Sequence, residues 1–151
     1  MKAVIQRVRN ASVEIDGKTV GKIGNGLLVL LGVAAGDTET DIALLARKIV
    51  NLRIFSDEAG KMNLSVKDIN GEILVVSQFT LLANCRHGNR PDFLASADPK
   101  IANEYYERFK ALLGDQVRRV ESGVFGADMQ VSLLNDGPVT ILLDTDNLKS
   151  K

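Results

Sequence analysis

The sequence predicts a single mixed α/β domain, with largely antiparallel or mixed sheets layered against two main helices on one side. Three observations predict it. The 151 residues fall within the ~100–200 that make one domain, so the span 1–151 reads as one unit. About eight short segments carry strand-like patterning. Two longer segments repeat apolar residues at helical spacing, and their one-sided stripes need a sheet to cover them.

Val13-Glu14-Ile15 alternates, breaks at Asp16-Gly17 and resumes at Lys18-Thr19-Val20, which predicts an antiparallel hairpin on a positive-φ turn pair. Residues 27–34 are apolar on both faces and bounded by Gly26 and Gly36, a pattern that suits a strand covered on both sides or a short buried helical segment. Asp37 and Thr38 then offer N-caps to a helix whose stripe is Ile42, Leu45, Ala46, Ile49 and Leu52. Arg53 to Ser56 reads as a short strand, Asp57 to Lys61 and Ile69 to Glu72 as turns, and Ile73 to Leu81 as a strand. The segment from Ala83 to Pro99 is polar and longer than the connections usual in compact domains, as functional loops often are. Asp98 followed by Pro99 starts a second helix with the stripe Ile101, Tyr105, Phe109 and Leu112, ending at Gly114. Val117 to Glu121 is a strand. Met129-Val131-Leu133 and Val139-Ile141-Leu143 read as two more, joined by a hairpin turn at Asn135-Asp136-Gly137-Pro138.

Composition narrows the chemistry. Nineteen basic residues balance nineteen acidic ones, unlike the basic excess of a nucleic-acid coat, so any RNA contact must use a local patch. One cysteine excludes an internal disulfide framework, and the apolar runs fall short of the ~20 residues of a membrane helix. With no export signal at the start, a cytoplasmic protein is expected. One Cys and one His cannot supply a zinc site, and neither GxGxxG nor GxxxxGK[ST] occurs, so no metal or cofactor is predicted. His87 is the one imidazole available to a nucleophile. It lies between Arg86 and Arg90, whose charges disfavour the imidazolium that a triad generates. Cys85 reads as a small buried filler rather than a nucleophile.

Ser77-Gln78-Phe79-Thr80-Leu81 is the exception. An apolar strand ends here in hydrogen-bonding side chains just where the long loop begins. Two readings stand: a strand end exposing polar groups to water, or an amide and hydroxyls at the rim of a pocket, placed to hold a polar substrate.

The SQFTL segment at 77–81, the loop Arg86-x-Gly88-x-Arg90-Pro91-x-Phe93, the run Gly123-Val124-Phe125-Gly126-Ala127-x-Met129 and NDGPVT at 135–140 together resemble the D-aminoacyl-tRNA deacylases, over essentially the whole chain. That resemblance implies a homodimeric cytoplasmic enzyme that hydrolyses the ester joining a D-amino acid, or misplaced glycine, to the terminal adenosine of tRNA. It places Ser77, Gln78, Phe79 and Thr80 at the reacting end. It makes Gly137 and Pro138 a cis element that reaches into the partner subunit's pocket and screens the amino acid, and it has Phe125, Met129 and Ala102 shape that pocket. Arg7, Arg9, Arg86 and Arg90 are then the candidates for RNA phosphates. Competing readings are a noncatalytic RNA-binding module, a Ser or Cys esterase using Ser77 or Cys85 with His87, and a structural dimerisation domain.

Overall fold

The computed structural model describes residues 1–149. Its organising element is β1 (Lys2–Ile15), which hydrogen-bonds along both edges. On one edge, β2 (Lys18–Ile23) pairs with its second half and β3 (Gly26–Gly32) with its first, so the chain turns once and runs back along the whole strand. The turn is Asp16-Gly17, both at positive φ, as the dipeptide predicts. On the other edge lies β8 (Gln130–Asp144). Beyond β3 the sheet continues with β6 (Glu72–Ser77) and β7 (Arg119–Ser122), both parallel to their neighbours. A separate two-stranded ribbon is formed by β4 (Phe55–Ser56) and β5 (Met62–Leu64). The sheet is mixed, as expected.

Both faces are covered, which explains why 27–34 reads as apolar throughout. On one face α1 (Glu39–Val50) and α2 (Pro99–Gly114) pack over Ile5, Leu27, Val29, Ile73 and Val75. On the other, Val8, Ala11, Val13 and Ile23 of the long hairpin close over Leu28, Leu74 and Val76. No helix among the described residues is long and apolar enough to cross a membrane.

Several sequence expectations are corrected. The buried stripe of α2 is Ala102, Tyr106, Phe109 and Leu113, while Ile101 and Leu112 are exposed. Two apolar rows lie one residue apart, and the sheet takes the row carrying Tyr106, whose hydroxyl finds carbonyl partners inside. The strand from Ile73 stops at Ser77: the Gln78 N–H donates to the Leu31 carbonyl at 2.7 Å, and Phe79–Leu82 then coils into a 3₁₀ turn. That turn lies against Gly32, where a Cβ would come within 3.1 Å of the Gln78 carbonyl oxygen. Residues 130–144 form one strand, not two joined by a hairpin turn, because both flanks of Gly137-Pro138 pair with β1 in the same direction. The ribbon strand β5 and a terminal helix α3 (Thr145–Lys149) are additions.

The helix α1 starts at Thr38, whose N–H donates to the Asp41 carboxylate at 2.8 Å and whose hydroxyl donates at 3.0 Å. Asp41 is buried and also forms an ion pair with Lys149 of α3. Burial alone would raise its pKa. Hydrogen bonds from Lys149, Thr145 and Thr38 outweigh that and hold the carboxyl well below the usual carboxylate range. Asp41→Asn is expected to cost about 3 kcal/mol at neutral pH, as breaking a buried pair does. A depressed folded-state pKa stabilises fully above the unfolded value of ~3.9 and is lost as the pH falls toward the folded one. Denaturant melts from pH 7 downward should therefore show the wild-type advantage constant to about pH 4 and shrinking below it.

Candidate functional site

The strand β6 carries four consecutive buried apolar residues, Ile73 to Val76, and then meets its last ladder bond. From that point the chain coils, and the alternation of faces that an unbroken strand would impose on Ser77 to Thr80 disappears. Ser77, Gln78 and Phe79 all line one cavity of about 750 Å³. This volume is within the ~300–1,000 Å³ of small-molecule sites. The cavity opens where the parallel strands β6 and β7 end, a position at which α/β sheets commonly bind ligands.

Three further segments complete the wall. The N-terminus of α2 contributes Asp98, Pro99 and Ala102, with the Asp98 carboxylate capping the Lys100 N–H at 3.0 Å. The run after β7 contributes Phe125, Gly126, Ala127 and Met129. The long loop contributes Phe93 and Leu94; the Phe93 ring meets Phe79 edge-on, with centroids 4.9 Å apart. The loop is closed by backbone hydrogen bonds between Asn84 and Asp92 at 2.9 and 3.0 Å, which fixes where Phe93 enters the site.

Behind the cavity, Tyr106 of α2 ties two walls together. Its hydroxyl lies 3.1 Å from the Val75 carbonyl oxygen and 3.2 Å from that of Gly123, so one buried group anchors both the end of β6 and the start of the Phe125 run. Burial pushes its pKa up to about 12, so it stays a neutral donor.

At the cavity mouth the Thr80 hydroxyl accepts from the Gln78 side-chain amide at 2.5 Å. An amide is no base, so this contact orients the hydroxyl without activating it. Phe79 and Thr80 open the 3₁₀ turn, and the first N–H groups of such a turn have no partner within it. They are donors suited to an oxygen carrying developing negative charge.

Of the sequence-predicted residues, the structure gathers Ser77, Gln78, Phe79, Ala102, Phe125 and Met129 around the cavity, with Thr80 beside them. Gly137 and Pro138 do not line it. They lie on an outward bulge of β8, joined by a cis peptide bond. Gln6 faces Thr140 and Val8 faces Asn135, so Arg7 alone stands opposite the four residues Asp136 to Val139. Arg7, a sequence candidate for RNA phosphates, points inward in this structure. Its Nε donates to the Asp136 carbonyl at 2.9 Å and its Nη1 to the Ile54 carbonyl at 2.6 Å, and its side chain is only 12% exposed. Arg9 is exposed and lies 3.5 Å from the Asp136 carboxylate. Arg86, His87 and Arg90 stand exposed on the long loop. Cys85 beside them is exposed rather than buried, because it lies in the stretch of the loop beyond the Asn84–Asp92 closure. Sequence reasoning did not assign Phe93, Leu94 or the Tyr106 anchor; an aromatic at the end of a long polar loop was the available signal.

Gly137 sits at φ +135°, and a Cβ there would meet Arg7 Nη2 at 2.9 Å and Val139 Cγ2 at 3.0 Å. Gly137→Ala should therefore lower unfolding free energy by ~1–3 kcal/mol in denaturant titrations.

Comparison with known proteins places this geometry in a family context. The family model described as D-Tyr-tRNA(Tyr) deacylase matches residues 4–144. A curated protein of Thermosipho africanus (strain TCF52B), named D-aminoacyl-tRNA deacylase, is 63% identical over 145 residues, 96% of this chain and 97% of that one. Among solved structures, one titled c-Myc DNA Unwinding Element Binding Protein superposes with a TM-score of 0.90 at 47% identity, covering 95% of this chain and 98% of its own. A probable eukaryotic D-amino acid tRNA deacylase shares the fold at a TM-score of 0.79 and 19% identity, over 94% of this chain and 97% of that one.

Proposed function

The chain belongs to the D-Tyr-tRNA(Tyr) deacylase family, and we propose that it is a cytoplasmic editing hydrolase that cleaves D-aminoacyl-tRNA and glycyl-tRNA but rejects L-aminoacyl-tRNA. The observation that carries this reading is the cavity at the end of β6, where Ser77, Gln78 and Phe79 meet an apolar wall of Ala102, Phe125 and Met129. Such a site suits an aminoacyl adenosine: an apolar face for the base and a polar end for the ester.

The hydrolysis adds water across the ester C–O bond, releasing the amino acid and a free ribose hydroxyl. The Phe79 and Thr80 N–H groups stabilise the oxyanion, and the cavity holds the ester where it meets them. With only an amide on its hydroxyl, Thr80 orients rather than attacks. The ribose hydroxyl next to the ester assists the water.

Handedness is screened by main chain. A wall of backbone atoms gives an L side chain a clash that no rotamer change relieves. Glycine has no side chain to clash, so it passes, as smaller analogues generally do in sites built on exclusion. Since Gly137 and Pro138 stand outside the cavity of their own chain, the wall comes from a second copy in a homodimer. The apolar side chains that β8 exposes, with Leu134 at 52% and Leu142 at 74%, are available to that contact. Arg86 and Arg90 meet the RNA phosphates.

Deacylation of one tRNA charged with D-Tyr, L-Tyr or glycine tests the reading. Turnover of the D and glycyl esters with L-Tyr intact is expected; equal cleavage of both enantiomers, or D turnover without any glycyl turnover, contradicts it. In the same assay Thr80→Ala should stay within about tenfold of wild type, whereas a loss of ~10³ or more would make Thr80 the nucleophile.

A further inference from the structure

Resting on the reading of Gly137-Pro138 as the chirality wall, we propose that Asn135 and Thr140 are positioning residues that hold the wall in place and so set stereochemical discrimination. Gly137 and Pro138 are exposed and bring no side-chain donor or acceptor of their own, so their placement depends on what flanks them. The ladder to β1 is interrupted there, between Gln6 and Val8. Proline has no N–H, and the Val139 N–H that follows is the first donor past the wall.

The Asn135 side chain takes that donor: its Oδ1 accepts from Val139 N at 2.9 Å, closing the bulge from the residue before it to its last. Its Nδ2 donates to the Thr140 hydroxyl at 3.2 Å. The same hydroxyl accepts from the Gln6 Nε2 of β1 at 3.3 Å. Asn135 thus clips the two ends of the bulge together, and Thr140 ties the clip to the central strand. The carboxamide supplies acceptor and donor at once; a carboxylate keeps the first and loses the second. Arg7 holds the Asp136 carbonyl from beneath the bulge, whereas the clip joins the residues that flank Gly137-Pro138. Neither Asn135 nor Thr140 lines the cavity, so their loss should free the wall to move without disturbing the reacting end.

The test is deacylation of D-Tyr-tRNA and L-Tyr-tRNA by the full chain and its variants Asn135→Ala, Thr140→Val, Thr140→Ser and Pro138→Gly, with a thermal melt of each. Asn135→Ala and Thr140→Val should lower the D-over-L rate ratio about tenfold or more, through a faster L reaction, with the D rate within about threefold of wild type. Thr140→Ser, which keeps the hydroxyl, should keep the wild-type ratio. An unchanged ratio in Asn135→Ala and Thr140→Val, or a parallel fall of both rates with the melting midpoint, overturns the positioning role. If Asn135→Ala does not fold, the Thr140→Val and Thr140→Ser pair decides by the same criterion. Pro138→Gly separates the two levels. A wild-type ratio there removes the wall itself, whereas a lowered ratio there with unchanged ratios in the clip variants removes the clip alone.

Discussion

A strand that is paired along its whole length must dispose of any residues its partner does not match. Here β8 brings four residues to a place where β1 offers one, and the surplus is pushed outward as the bulge bearing Gly137 and Pro138. Pairing on both sides prevents the bulge from relaxing by a shift of register, since a slip by one residue would turn the half-buried Val139, Ile141 and Leu143 of β8 to the other face. The Arg7 side chain fills the space beneath the surplus, with one end on the Asp136 carbonyl and the other on the Ile54 carbonyl. A surface feature two residues wide is thus fixed by the central strand of the fold, and it is this fixity that the proposed main-chain filter requires.

The cavity obeys a different constraint. Running parallel, β3, β6 and β7 put their C-terminal ends at one edge of the sheet, and β6 spends its length in the core before releasing Ser77 to Thr80 at that edge. The 3₁₀ turn converts an alternating strand into a cluster, so that side chains which would have faced opposite ways share one cavity. Its walls are held by the Tyr106 hydroxyl and by the closed loop that delivers Phe93. In the proposed function the reacting end and the chirality wall lie on different parts of one chain, and a second copy is the economical way to bring them together.

Much of this was legible in the residues. Asp16-Gly17 announced its hairpin because both positions need positive φ, and Thr38 and Asp98 announced their helices because each offers a side-chain oxygen where N–H groups lack partners. The polar end of an apolar strand marked the rim of the cavity. What local pattern could not convey was the outcome of long-range choices. Gly-Pro has the same local chemistry in a hairpin turn and in a bulge, and only the pairing of both flanks with β1 distinguishes them. Ile101 and Ala102 begin two apolar rows of one helix, and burial of Tyr106 with its carbonyl partners selects the second. Arg7 looked like a surface cation because nothing near it in sequence announces the carbonyls of Ile54 and Asp136. The short β5 and α3 are set by tertiary contacts, the latter by Lys149 meeting the buried Asp41.

The claim on which the account turns is that one subunit's rigid peptide segment screens the other's pocket. It is tested most directly in a heterodimer that joins a Pro138→Gly chain with an intact cavity to a chain with intact Gly137-Pro138 whose cavity is filled by Ala102→Phe. The single working pocket then faces an unaltered wall from its partner, and the account predicts cleavage of D-Tyr-tRNA with L-Tyr-tRNA spared. Cleavage of L-Tyr-tRNA by that heterodimer at the rate of the Pro138→Gly homodimer would contradict it.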